Sequence, residues 1–353
     1  MRSGVEEGIF PGAVLLVGRG DTILFHRPYG YASLSPEKQR LRLETIFDLA
    51  SLTKPLATTM GIMTLVQNGR LSLDQPVADW GNRSLNPEGP AMTIRHLLAH
   101  SAGYEAYHPY YLKLNQEAGE KKTILREWVK KEPLTYRPGE QAVYSDLGFI
   151  ALEGIFEDMT GEDLNRWIRR QIYLPLRILQ LGFRPLNPRG VLDPEAFAAT
   201  ENCPWRQKIV RGEVHDENTF AVGGVSGQAG LFGTALEIFQ LLRALKRAYD
   251  QPEVPGLFSG EWVRIFWERQ NRPSGTTRAL GFDTPSESGS SAGRYFSPTS
   301  VGHLGFTGTS FWMDLERDLI VILLTNRVHP SRANEAIKTF RPLLHDLVFE
   351  AIF

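Results

Sequence analysis

Two hairpin patterns at opposite ends of the chain, with helical periodicity between them, predict an α/β (α+β) fold. It would hold a mostly antiparallel sheet fed by both chain ends, flanked by helices, with a helical domain inserted. At the front, residues 12–18 and 22–26 are apolar, β-branched runs broken by Arg19, Gly20 and Asp21, which reads as two strands and a tight turn. At the back, residues 310–313 and 319–325 flank the polar turn 314–318, and the unbroken apolar run 319–324 suits a central strand buried on both faces. Ala336, Phe340, Leu343, Leu344, Leu347 and Val348 follow at helical spacing, so residues 331–353 form a terminal helix packed on the sheet. In the middle, residues 52–66, 94–99, 124–131, 147–159 and 164–172 carry the helical period, with Pro and Gly between them. The expected division is an α/β domain from 1–76 and 222–353 and a mainly helical domain from 77–221, with the active site in the cleft between them. The Ser/Gly tract 286–293 reads as a flexible loop, because strand-like sequence resumes after it.

A chain of 353 residues, 42% hydrophobic and 22% charged, has the material for a large folded core and no signature of disorder. Lys and Arg total 39 against 40 Asp and Glu, for a net charge of -1, so no field attracts a phosphate backbone and nucleic acid is not an expected partner. No apolar run reaches the roughly 18 residues of a membrane span. If Met1 is the native start, the expected compartment is the cytoplasm; a trimmed signal peptide would make it periplasmic or secreted. The single cysteine, Cys203, rules out an internal disulfide and a thiolate metal cluster, and beside Pro204 and Trp205 it reads as packed. Nothing in the sequence specifies an oligomer.

Three short patterns carry chemistry. Ser51 and Lys54 stand three apart at the start of an amphipathic helix, so the lysine nitrogen can reach the serine oxygen. A serine hydroxyl needs a base, and a lysine serves only if burial or neighbouring charge lowers its pKa. Helix-start amides would also favour a developing oxyanion. Taken alone, the same pair describes a serine N-cap followed by a solvated lysine. Tyr144 precedes Ser145 and Asp146 after the turn residues Pro138 and Gly139; a tyrosine near a lysine can shuttle protons, or simply pack. Residues 302–310 are glycine-rich beside the back hairpin, where backbone can approach a ligand and an N–H can join that of Ser51 in an oxyanion hole.

In order and spacing, these three patterns resemble the serine β-lactamase and penicillin-binding-protein superfamily. The likeness is closest to the class C β-lactamase-like branch, which includes bacterial esterases and D-amino-acid peptidases. It extends to residues 93–103, 69–77 and 223–234, and so to nearly the whole chain. It implies a β-lactamase/transpeptidase-like fold, with Ser51 forming the acyl-enzyme and Lys54 and Tyr144 managing protons. The implied oxyanion hole is the backbone N–H of Ser51 and of Phe306, and Asp146, His303 and Gly305 would face substrate. No metal or cofactor is implied. Two departures bear on substrate: His303 stands where a lysine commonly binds a carboxylate, and Asp146, acceptor-only when ionised, stands where an asparagine amide is usual. Both count against β-lactams and peptides and leave ester cleavage intact. The expected activity is that of a carboxylesterase on small esters. A β-lactamase or D-Ala/D-amino-acid peptidase is the alternative, and a non-catalytic binding scaffold a third reading.

Other candidates are weaker. His96 and His100 lie four apart but have no acidic or cysteine partner in sequence, so they read as builders of the helix and loop beside the site. Residues 212–218 read as a buried polar network shaping the cleft. There is no nucleophile-elbow pattern and no phosphate-binding loop.

Overall fold

The computed structural model describes residues 1–77, 91–115, 118–184 and 193–353. In chain order its strands are β1 (Gly12–Arg19), β2 (Thr22–Ser33), β3 (Gln39–Arg40), β4 (Phe47–Asp48), β5 (Gly182–Phe183), β6 (Asn202–Cys203), β7 (Lys208–Ile209), β8 (Leu231–Gly233), β9 (Val301–Leu304), β10 (Ser310–Asp314) and β11 (Leu319–Thr325). Six of them form one antiparallel sheet in the order β3-β2-β1-β11-β10-β9, so the chain ends meet at its centre. Both predicted hairpins are present, and β1 pairs along β11 from Ala13↔Thr325 to Arg19↔Leu319.

Residue alternation explains why the sheet is central. Val14, Leu16, Ile320, Ile322 and Leu324 point into the larger apolar cluster, which also takes Leu97, Phe149 and Leu241 from helices Ile94–Leu98, Asp146–Thr160 and Ala235–Asp250. Ala13, Leu15, Val17, Val321 and Leu323 point the other way, onto Phe340, Leu344 and Val348 of the terminal helix Ile337–Ile352. A strand with apolar side chains on both faces needs cover on both, and helices provide it.

The helical middle follows the predicted segments with shifted ends. Helices run Ile94–Leu98, Ala118–Lys131 and Asp146–Thr160. Two expected helices are interrupted. The first opens as a 3₁₀ turn (Ala50–Leu52), widens to a π turn (Lys54–Thr58) and only then becomes α (Thr59–Gln67); the other turns π after Ile168. Helices Ala235–Asp250 and Gly260–Trp267 fall outside the periodic segments named above. The terminal helix starts at Ile337, six residues later than expected. The tract 286–293 has no regular structure, yet its end is tied down: Ala292 is buried, Arg294 donates its N–H to Asp346 at 2.6 Å, and His345 Nδ1 lies 2.8 Å from the Ser291 carbonyl.

A second, three-stranded sheet positions the site. β4 pairs with β8, which pairs with β5, and the chain leaves β4 directly into the Ser51 turn.

Candidate active site

The turn that presents Ser51 is held by a buried carboxylate. Asp48, at the end of β4, accepts the Ala50 N–H at 2.9 Å through one oxygen and the His215 N–H at 2.6 Å through the other. Ala50 sits at φ 48°, a left-handed conformation that costs a non-glycine residue about 1 kcal/mol and persists only where surroundings fix it. Here the fixing groups are Asp48 and Thr53, whose hydroxyl donates to the Ala50 carbonyl at 2.6 Å and accepts the Leu231 N–H at 3.1 Å.

Lys54, one turn on, is fully buried, and its ammonium uses all three of its hydrogens. Nζ donates to Ser51 Oγ at 3.1 Å, to Asp146 Oδ1 at 2.7 Å and to the Gln228 carbonyl at 3.1 Å. Burial pulls its pKa down, but the Asp146 carboxylate, with Tyr144, more than offsets this and holds it above the ordinary lysine value. The Tyr144 ring centre lies 4.8 Å from Lys54 Nζ, and Tyr144 and Ser51 line the same cleft. Burial raises the Tyr144 pKa, Lys54 draws it back, and the balance stays above the ordinary value. Hydroxyl, ammonium and phenol therefore meet at one point, with the ammonium protonated at rest.

His100 holds Tyr144 and Asp146 in place. Its Nδ1 accepts the Ser145 N–H at 3.1 Å, its carbonyl accepts the Val143 N–H at 2.9 Å, and its ring lies 4.4 Å from that of Tyr144. His96 serves a separate end of the segment, closing a capping box with Thr93. Gly227 allows the loop carrying Gln228 to press on helix Asp146–Thr160; a Cβ there would stand 2.1 Å from the Phe149 carbonyl.

The glycine-rich segment faces the serine from the other side. The Gly305 N–H donates to the Thr309 carbonyl at 2.7 Å and the Gly308 N–H to the Gly305 carbonyl at 3.0 Å, folding residues 305–309 into a tight turn. Thr307 and Thr309 fasten that turn to the strand before Ser51, donating to the carbonyls of Asp48 at 2.8 Å and Leu49 at 3.1 Å. Phe306 exposes its ring between His215, stacked at 5.7 Å, and the Arg327 guanidinium, 4.7 Å from the ring centre. Ser51, Tyr144, Asp146, His303, Gly305 and Phe306 all line one cleft of about 560 Å³, with Lys54 beneath its floor.

The beta-lactamase family model matches residues 1–343. The chain belongs to the beta-lactamase family. Among curated relatives of this family member, a putative D-alanyl-D-alanine carboxypeptidase of Escherichia coli O157:H7 is 31% identical, over 91% of this chain and 79% of that one. An N-acetylmuramyl-L-alanine amidase of Bacillus subtilis (strain 168) is 32% identical, over 91% of this chain and 78% of that one. Among solved structures, EstCE1, a hydrolase with promiscuous acyltransferase activity, superposes with a TM-score of 0.74 at 20% identity, covering 96% of this chain and 95% of its own. A penicillin-binding protein from Bacillus halodurans gives 0.71 at 19%, covering 99% and 98%. The fold is that of β-lactamases and penicillin-binding proteins.

Within this beta-lactamase-family site, the two departures noted in the sequence take definite form. Asp146, expected to face substrate, lines the cleft but commits one oxygen to Lys54. His303, expected in the place of a cation, is buried and neutral: burial drives its pKa down to about 4. Its Nδ1 lies 2.9 Å from the Leu304 carbonyl, which can only accept, so Nδ1 carries the proton and Nε2 is a bare acceptor without a partner among the described residues. Cations of the cleft wall come from elsewhere, from Arg278, Arg327, Lys338 and Arg341. No motif points to Arg278 or Arg341, which lie far from the three patterns in sequence, and Asp48 shows only as a polar residue in an apolar run. Arg278 is ion-paired with Asp283, and its guanidinium lies 5.3 Å from the Tyr144 ring centre.

Residues 212–218 do join a buried network beside the cleft. Glu201, Cys203 and Glu217 place their ligand atoms within 4.8 Å of one another, a spacing that suits a metal. A guanidinium already holds that position: Arg332 Nε donates to Glu201 at 2.8 Å and Nη2 to Glu217 at 2.5 Å. Burial raises the Glu201 pKa, but His215 and Arg332 bring it down to about 2. The cluster thus has its cation from the chain itself. No helix among the described residues is long and apolar enough to cross a membrane.

Proposed function

We propose that the protein is a serine hydrolase that works through an acyl-enzyme on Ser51, with carboxylesters of small acids as its preferred substrates. The observation that carries this reading is the gathering of Ser51, Lys54 and Tyr144 at the floor of an open cleft, with Lys54 Nζ 3.1 Å from Ser51 Oγ and 4.8 Å from the Tyr144 ring centre, facing the turn that bears the Phe306 N–H. In the proposed cycle the Tyr144–Lys54 pair first loses one proton to solvent; Ser51 then attacks the carbonyl and its proton passes to the vacancy on that pair. The amides of Ser51 and Phe306 take the oxyanion, and the pair returns the proton to the leaving alcohol. Water repeats the sequence to free the acid. Ester rather than amide follows from the second motif. With Asp146 tied to Lys54, no side-chain amide stands there to donate to an acyl-amide carbonyl, and neutral His303 offers a carboxylate nothing.

A second reading, cleavage of a D-alanyl peptide or a muramyl amide, is favoured by the names of the relatives and by Arg278 in the cleft. Intact-mass measurement after incubation with p-nitrophenyl esters, a cephalosporin and D-alanyl-D-alanine peptides tests both. The expected result is an ester-derived adduct that is absent from Ser51→Ala; an adduct from the peptide or cephalosporin alone would replace the first reading by the second. No adduct from any of them, and no labelling by a fluorophosphonate, would favour a binding scaffold.

A further inference from the structure

One buried charge in the cleft wall has no carboxylate partner among the described residues. Arg341, on the terminal helix Ile337–Ile352, is 5% exposed, and among the described residues it forms no ion pair with a carboxylate. Its Nη2 donates to the carbonyls of Thr309 at 3.1 Å and Gly305 at 3.4 Å, and its Nε has no partner. Burial, with Arg327 nearby, lowers its pKa to about 10, which still leaves it charged at neutral pH. Burying a lone guanidinium is unfavourable, and the turn does not need it. The Gly305 carbonyl also accepts from the Gly308 N–H at 3.0 Å, and the Thr309 carbonyl from the Gly305 N–H at 2.7 Å. Both acceptors would stay satisfied without Arg341.

We propose that Arg341 is a positioning residue that strengthens the oxyanion hole through the peptide group joining Gly305 to Phe306. The carbonyl of Gly305 and the N–H of Phe306 are the two poles of one amide. A cation on its oxygen draws electron density toward that end and makes the N–H a stronger donor, as in any cooperative hydrogen-bond chain. The same charge, shielded from bulk solvent by its burial, also favours negative charge developing on the far side of the turn. Arg327 fixes the following peptide, donating from Nε to the Phe306 carbonyl at 2.9 Å. The inference rests on the proposed roles of Ser51 and the Phe306 amide.

The test compares parent, Arg341→Met and Arg341→Lys with a p-nitrophenyl ester, reading kcat and KM separately, thermal midpoint, and the infrared stretch of the acyl-enzyme carbonyl. The expected result for Arg341→Met is a fall in kcat of about tenfold or more, KM within about twofold, an unchanged or raised midpoint, and a carbonyl stretch moved to higher frequency. Arg341→Lys should recover most of the rate and the frequency. A kcat for Arg341→Met close to that of the parent overturns the proposal. So does an equal loss in both variants accompanied by a lowered midpoint, which would mark a packing role. If Arg341→Met does not fold, a carbonyl frequency in Arg341→Lys that departs from the parent in proportion to its rate supports the proposal, and an unmoved frequency with a reduced rate overturns it. Failure of parent Ser51 to acylate at all would remove the underlying reading and this one with it, and is told apart because the parent itself is then silent.

Discussion

A buried ammonium with no counter-charge tends to shed its proton, whereas one beside a carboxylate keeps it. Lys54 is of the second kind because Asp146 stands 2.7 Å from it, and the same carboxylate also opposes ionisation of Tyr144. Serine activation must therefore wait for a proton to leave the pair, and the rate should rise with pH along an alkaline limb. Asp146→Asn removes the charge that holds Lys54 up and adds to the effect of burial on Tyr144, so the signs agree: the limb should move to lower pH, by about 1–3 pH units. A pH profile of kcat/KM on a p-nitrophenyl ester checks this, and a limb that stays in place would separate Asp146 from proton control. The substitution also restores a side-chain amide at the second motif, so acylation by amide-type substrates should increase relative to esters.

At the scale of elements, the site depends on two turns held against each other. Asp48 accepts from two backbone N–H groups, those of Ala50 and His215, one on each oxygen. In Asp48→Asn one oxygen becomes an NH₂ facing an N–H, a donor against a donor in a buried site, at a cost of about 1–3 kcal/mol. Urea unfolding should show that loss, and acylation of Ser51 should fall further than stability alone explains, because Ala50 leaves its left-handed conformation. Gly305→Ala probes the facing turn: its Cβ would meet Thr309 Oγ1 at 2.1 Å and the Leu49 carbonyl at 2.7 Å, so the turn must move away from Ser51. The sequence is most legible where one period dominates. The hairpins and the doubly buried β11 follow from alternation, and the serine, lysine and tyrosine could be named because short spacings on adjacent turns place them. The π turn at Lys54–Thr58, whose residues are all buried, is not legible in this way, since apolar spacing alone does not distinguish it from an α turn. Arg341 and Arg278 are equally invisible: Arg341 is defined by the lack of a carboxylate partner among the described residues, and Arg278, though paired with Asp283 only five residues on, reaches the cleft through folding that sets it 5.3 Å from the Tyr144 ring centre.

Across the whole molecule, burial lowers the pKa of six of the eight histidines, and all six shifts act in one direction. His303 in β9 and His345 in the terminal helix are both brought down to about 4, each with Nδ1 on a carbonyl and Nε2 bare inside the protein. Between the unfolded value near 6.5 and the folded value near 4, the unfolded chain binds protons that the folded chain does not, so stability falls as pH falls through that window. Each of the two contributes a loss of about 3 kcal/mol by its lower end. That is a large share of the 5–15 kcal/mol typical of a folded domain. Glu201, held at about 2 in the folded state, acts in the same sense but lower, below its ordinary value of 4.5. The expected outcome is a urea midpoint that begins to drop just below pH 6.5, above the range in which carboxylates protonate, and goes on falling to pH 4. His345→Gln keeps an amide donor for the Ser291 carbonyl but cannot take up a proton, and His345 is not among the residues lining the cleft. Its midpoint should fall less steeply over the same interval than that of the parent; equal slopes would mean that the acid sensitivity comes from groups other than this buried imidazole.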